Sequence, residues 1–326
     1  MNAVDHNNVV IFDDRGIPSI MCRFVRPKDT EEVPAVFKIG DKVADAIYIS
    51  KYPNIVIDGR AYSMPMADPT VNITFDGAVQ ACRCKGLGWH LMTAVEYEYL
   101  LNQSREKGTM PHGNTDWGKD YYHNDEQGKV SNLGRTYTGT GPVTWNHDHT
   151  PYGVSDLNGN VWEWLAGLRI KDGVIEFIPD NKAASPYCDL SKDSAEWQQE
   201  ETSKGPVRAN VECGEITITD AVAADDYEPD YDGVRIEKLE VELSEIPQVL
   251  KDLGIIPDKR AEEEGKTYVY FDATEGEYMP FRGSAFGSTS SSGPSALGLH
   301  NPRSSSNVFI GFRSAFYEVN GKLITE

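Results

Sequence analysis

Residues Arg282–Tyr317 read RGSAFGSTSSSGPSALGLHNPRSSSNVFIGFRSAFY. The first part is almost all Ser, Gly and Ala, the composition of a flexible linker. Yet it ends in Phe309–Tyr317, FIGFRSAFY, an apolar and aromatic run with the look of a buried strand. It begins after EYMPFR, which also reads as a strand. Linkers seldom end in a core strand, so this segment is read as an ordered loop held at both ends by a domain core.

The rest of the chain sets the frame. Hydrophobic residues make up 39% of 326 residues and aromatics 10%, enough for a packed core. The formal net charge is −20, with 51 Asp and Glu against 31 Lys and Arg. That balance argues against a nucleic-acid partner, which needs basic patches. No stretch approaches the ~20 apolar residues of a membrane span. MNAVDHNNVVIFDDRG has neither a basic n-region nor an apolar h-region, so no signal peptide is expected. The five cysteines, Cys22, Cys82, Cys84, Cys188 and Cys213, are odd in number and do not suggest a disulfide framework. Cys82 and Cys84 are too close for the usual zinc pair.

Residues 1–45 alternate weakly (VVIFDD, IMCRFV, AVFKIG) and are expected to form an N-terminal β segment. Residues 46–326 are read as the main domain. Within it, Ala78, Ala81 and Cys82 share a helical face, and Thr93 with Glu96 forms a capping box that starts a second helix. Residues 105–150 read as long ordered loop with small strands. An N-G turn then leads into the strand NVWEW. Residues 171–273 carry acidic runs (ADDYEPDYDG, KLEVELSEI) and are read as an insertion or subdomain whose charges form a solvated face.

Three separated segments carry a family resemblance. HLMTAVEYEYL at 90–100 resembles the LPTEAEWEYA element of the formylglycine-generating-enzyme family. GVSDLNGNVWEW at 153–164 resembles its GLYDMxGNVWEW, and RGSAF…NVFIGFR at 282–313 its closing RGGSW…NIGFR. The order and rough spacing agree. The resemblance implies an α+β, C-type-lectin-like fold of the formylglycine-generating-enzyme subtype, with both ends of the domain in one small sheet.

The enzymes of that family carry reactive cysteines between RGGSW and GFR that bind copper. This chain has no Cys between Arg282 and Arg313. The related sulfoxide synthases need an added helical domain supplying histidines, and no such His pattern occurs here. The expectation is therefore no catalytic residue, no cofactor and no metal.

A second branch of the fold matches better. The segment resembles the variable region of diversity-generating-retroelement proteins, RGGNWNNxxNxGxxALNLNNxRSNSNNNIGFR. In these, an error-prone reverse transcriptase randomises the adenines of a template, so Asn codons change. Without a gap, Arg282, Gly283, Gly293, Ala296, Leu297, Leu299, Arg303, Ser304, Ser306, Ile310, Gly311, Phe312 and Arg313 coincide with the pattern. Its Asn positions fall on Ala285, Gly287, Ser288, Ser291, Gly298, His300, Asn301, Ser305, Asn307, Val308 and Phe309. Ser284 stands where the family has Gly, and Phe286 where it has Trp. Randomised AAC or AAT codons cannot give Lys, Glu, Gln, Met or Trp, and none of these occurs in Arg282–Arg313.

The resemblance thus implies a solvent-facing display patch at those eleven positions, with Phe309 and His300 as the aromatic anchors. Leu297, Leu299, Ile310 and Phe312 are expected in the core, and Gly283, Gly293 and Gly311 at tight turns. The implied function is non-enzymatic recognition of a host-surface protein or glycan, as at the tip of a phage tail fibre. Other virion subunits and an oligomer are further expected partners. The implied location is a virion if the gene is phage-borne, and otherwise the bacterial cytoplasm or cell surface. An enzyme of the formylglycine-generating or sulfoxide-synthase kind, or a structural virion subunit, are the alternatives.

Smaller motifs carry less. Trp162 and Trp164 are expected in the core, though they could line a groove. His147, Asp148 and His149 could ligate a metal, but H-x-H in a polar loop is usually surface. Glu228-Pro229-Asp230 echoes the calcium and sugar motif of true C-type lectins, but no W-N-D triplet follows it.

Overall fold

A computed structural model describes residues 7–223 and 227–323. Asp225 and Asp226 of the acidic run lie outside the described residues. The architecture is α+β. One sheet of six strands and one of twelve, among the described residues, are joined by a few helices.

The smaller sheet gathers both ends of the chain. Ala46–Ser50 is buried along its whole length and lies at the centre. Pro18–Val25 pairs antiparallel with one edge of it (Cys22↔Ile49) and Ser314–Val319 with the other (Ala315↔Ile49). Asn8–Phe12 adds outside Pro18–Val25. The N-terminal strands therefore continue the sheet that closes the domain.

Local signals explain the helices. Phe75–Arg83 starts at Thr74, whose hydroxyl accepts from the Gly77 N–H at 3.1 Å. Its apolar face buries Phe75, Ala78, Ala81 and Cys82. Ala94–Lys107 has the expected capping box: Glu96 N–H donates to Thr93 Oγ1 at 3.1 Å, and Thr93 N–H to Glu96 Oε2 at 2.9 Å. Gly108, at φ +65°, ends it. AVFKIG departs from the strand expected of it. Ala35–Phe37 makes a 3₁₀ turn, and only Lys38–Ile39 pairs, with Lys42–Val43 across Gly40 at φ +62°.

The larger sheet positions the segment of interest. Trp162–Trp164 pairs parallel with Ile310–Phe312 and antiparallel with Glu277–Arg282. Glu277–Arg282 pairs in turn with Leu297–Pro302, which lies parallel to Tyr268–Asp272. Residues 171–273 extend this sheet through Val174–Phe177, Arg208–Glu212, Glu215–Thr219 and Glu240–Glu242. The same stretch contains a short helix, Gln248–Asp252. Leu297, Leu299, Ile310 and Phe312 are all buried.

Candidate functional site

Two arginines, both buried, hold the ends of the 282–313 segment. Arg282 Nη1 donates to Glu98 Oε2 at 2.8 Å, and its guanidinium lies 5.2 Å from the Tyr97 ring centroid. Arg313 Nε donates to Glu163 Oε2 at 2.5 Å. Both acceptors belong to elements outside the segment.

Between these anchors the backbone is tightly specified. Gly283 sits at φ +93°, and a Cβ there would lie 2.5 Å from the Leu157 carbonyl oxygen. Ser284 takes the left-handed region at φ +64° where the family pattern has Gly. Its hydroxyl offsets that strain by donating to Asn158 Oδ1 at 3.1 Å and accepting from the Gly159 N–H at 3.2 Å. Gly293 opens a turn, its carbonyl accepting the Ala296 N–H at 3.0 Å, whereas Gly311 lies in the strand Ile310–Phe312 and corrects the expectation of a tight turn. Neither has positive φ. A Cβ on Gly293 would meet Thr267 Oγ1 at 2.1 Å, and one on Gly311 the Thr70 carbonyl oxygen at 2.8 Å. Glycine is needed there because neighbouring chain lies too close for any side chain.

The segment folds over a hollow of about 370 Å³. Its floor is aromatic. Trp162 and Phe281 meet edge to face at 5.0 Å between centroids, and Tyr270 stands 6.4 Å from Trp162. His300 packs among Tyr231, Tyr270 and Phe281 at 5.0, 5.3 and 5.1 Å. Burial lowers the His300 pKa to about 4, so its ring is neutral near pH 7. Its Nδ1 is buried without a hydrogen-bond partner among the described residues. At the rim, Phe309 stacks on Phe286 at 5.1 Å and is 42% exposed.

Eight of the eleven positions singled out in the sequence line this hollow: Ala285, Gly287, Ser288 and Ser291 on one side, and His300, Asn301, Asn307 and Phe309 on the other. Three do not. Gly298 lies in a strand beneath Phe281, whose Cζ would be 2.3 Å from an added Cβ. Ser305 sits in a turn closed by its N–H to the Pro302 carbonyl at 2.9 Å. Val308 is half-buried, and its carbonyl accepts from Arg135 at 3.4 Å. The expectation of a patch facing solvent throughout is corrected at two positions. Ala285 is only 2% exposed and Gly298 is buried, because the chain curls inward to build the hollow.

Tyr270 and Phe281 line the hollow but were missed in the sequence. Tyr270 could have been found from YVYFD, whose alternation puts Tyr268 and Tyr270 on one face. Trp162 reaches the hollow, whereas Trp164 is wholly buried with its indole N–H donating to the Ile73 carbonyl.

The remaining motifs point elsewhere. His147 is buried and accepts the Val154 N–H at Nδ1, 2.9 Å away. Asp148 accepts from Thr150, and His149 Nε2 lies 3.1 Å from the Met110 carbonyl oxygen. Among the described residues, no group of three or more His, Cys, Asp or Glu could hold a metal ion. Cys22, Cys82 and Cys188 are buried. Burial pushes the Cys22 thiol up to about 12 and the Cys188 thiol to about 11, away from the reactive thiolate.

The chain matches the family of sulfatase-modifying factor enzyme 1-like domains over residues 57–316. It is similar to formylglycine-generating enzyme of Mus musculus, 36% identical over 105 residues, which span 30% of this chain and 27% of that enzyme. Among solved structures, it is similar to PvdO from Pseudomonas aeruginosa (14% identity, TM-score 0.39, 97% of this chain and 100% of that one). It is also similar to Treponema denticola variable protein 1 (12% identity, TM-score 0.39, 95% and 98%). A third is the Major Tropism Determinant P3c variant (13% identity, TM-score 0.33, 84% and 50%). With residues 57–316 matched, the chain belongs to the sulfatase-modifying factor enzyme 1-like family, on an α+β fold of the C-type-lectin-like kind.

Proposed function

We propose that this chain is a non-enzymatic binding protein whose 282–313 segment displays diversified residues for ligand recognition. The observation that carries this reading is the convergence of eight of the eleven template-Asn positions on one aromatic-floored hollow. The positions that match the fixed part of the pattern lie in the supporting frame, as Leu297, Leu299, Ile310 and Phe312 do. Binding residues on a segment held by a rigid core can change without rebuilding that core. The enzymatic alternative lacks its chemistry in this segment, which contains no thiol.

The ligand is a host-surface protein or glycan. The chain acts at a phage tail-fibre tip if its gene is phage-borne, or at a bacterial surface otherwise. Side-by-side copies would strengthen weak single contacts.

Deep sequencing of the gene across its natural population, read codon by codon, tests the reading. Substitutions should concentrate at the eleven positions and spare Leu297, Leu299, Gly311 and Phe312. Even spread along the gene, or copper-dependent turnover by the purified chain, would sink it.

A further inference from the structure

The proposed display hollow is unusual in its charge. A quarter of the chain is Asp, Glu, Lys or Arg, with a net −20. None of the twelve residues lining the hollow is any of these. Its one titratable imidazole, His300, is held neutral by burial. Its polar groups include the hydroxyls of Ser288 and Ser291 and the amides of Asn301 and Asn307, around a floor whose Tyr270 and Trp162 carry a phenol and an indole N–H. Small residues at Ala285 and Gly287 leave that floor open to a ligand.

Each property narrows the ligand. A charge-free hollow offers nothing to compensate a buried ionic group, so charged ligands lose their hydration without gaining a partner. A volume of about 370 Å³ is at the small end of ligand sites, ~300–1,000 Å³. It suits one or two rings better than the ~800 Å² of contact that a protein partner needs on each side. Aromatic faces beside amides and hydroxyls suit a flat, apolar C–H face edged with hydroxyl groups. The floor residues Trp162, Tyr270 and Phe281 lie outside residues 282–313, so every variant of that segment would keep them.

We propose that the hollow binds uncharged sugar rings, with the constant floor of Trp162, Tyr270 and Phe281 setting the ligand class and the residues of the 282–313 segment choosing among glycans. This rests on the display reading. Pyranose C–H faces stack on the half-buried Trp162 and Tyr270 rings, which the buried Phe281 supports from beneath. Ring hydroxyls bond to Asn301, Asn307 and the serines.

The test uses the purified full chain on an array of hexose- and N-acetylhexosamine-terminated neutral glycans beside sialylated and sulfated ones. Binding is expected only on neutral glycans. Tyr270→Leu and Phe309→Leu should each weaken it about tenfold, the loss of one aromatic contact. Phe309 is half exposed at the rim, so its variant keeps the test decisive if Tyr270→Leu does not fold. Binding confined to anionic glycans, a silent array, or binding unchanged in the folded variants overturns the proposal. The codon survey separates this from the display reading: variation concentrated at the eleven positions together with a silent array rejects sugars and retains display.

Discussion

Glu163 and Arg313 form an ion pair buried to 1% and 0% exposure, with Arg313 Nη2 2.5 Å from Glu163 Oε1. The same guanidinium donates to the carbonyls of Ser50 at 2.9 Å and Ser155 at 3.1 Å. It therefore links the small sheet, the loop before NVWEW and the end of the 282–313 segment. Burial pushes the Glu163 pKa up while Arg313 pulls it down. Glu163→Gln keeps the shape but leaves a buried, unmatched guanidinium. The expected loss is ~3–5 kcal/mol of folding stability, read from urea unfolding. An unchanged midpoint would mean the pair does not hold the segment.

Gly311 and Ser305 lie in the same segment, yet substitution by alanine should matter at the first and not at the second. Gly311→Ala forces a Cβ to 2.8 Å from the Thr70 carbonyl oxygen and 3.0 Å from Val161 Cγ2. Backbone cannot yield cheaply, so ~1–3 kcal/mol is lost. Ser305→Ala, half-buried in a turn, should stay within ~0.5 kcal/mol. Thermal melts of the two variants decide this.

Asp156 gives the protein a pH dependence of one sign. Burial raises its pKa from 3.8 to about 6, against the Gly139 N–H that it accepts at 3.0 Å. Between those values the folded state holds more proton than the unfolded state. Stability therefore falls as pH rises from about 4 to 6, by ~3 kcal/mol for a fully buried group. Asp156→Asn keeps the hydrogen-bond acceptor, suits the φ of +60°, and removes the cost. The variant should melt higher than the parent at pH 7 and converge with it near pH 4.

His147 acts with the opposite sign. Burial lowers its pKa from 6.5 to about 4, and its Nδ1 must stay unprotonated to accept the Val154 N–H. The unfolded state takes up the proton first as pH falls. Stability is then lost between about 6.5 and 4, by ~3 kcal/mol. His300 is lowered to about 4 in the same way. His300→Asn should flatten part of the acid loss, measured as unfolding midpoint against pH. An equally steep profile would show that His300 is not held neutral.

What was legible in the sequence was local or periodic. The Thr93–Glu96 capping box depends on residues three apart, and it stands as read. Leu297 and Leu299, or Ile310 and Phe312, are two apart on one strand face, so their burial follows from alternation. What escaped depends on neighbours distant in the chain. The role of Gly311 is set by Thr70, and that of Gly293 by Thr267. Tyr270 reaches the hollow because Tyr268–Asp272 lies beside Leu297–Pro302, and Tyr231, on the strand paired with it, backs His300. No pattern within residues 282–313 encodes that floor. Gly298 matched a display position by alignment, yet Phe281 lies over it, a contact visible only across the paired strands.

The two buried arginines also bear on descent. Arg282 and Arg313 bind to Glu98 and Glu163, neither of which lies in the segment between them. Any process that rewrites the intervening residues leaves both rivets in place. Under the proposed diversification, rewritten variants would inherit this closed chain path, since neither ion pair depends on the residues that change. Attrition would fall on places such as Gly298, where a new side chain must first evict Phe281. The usable repertoire is therefore limited less by how many residues can vary than by how few of them touch the frame.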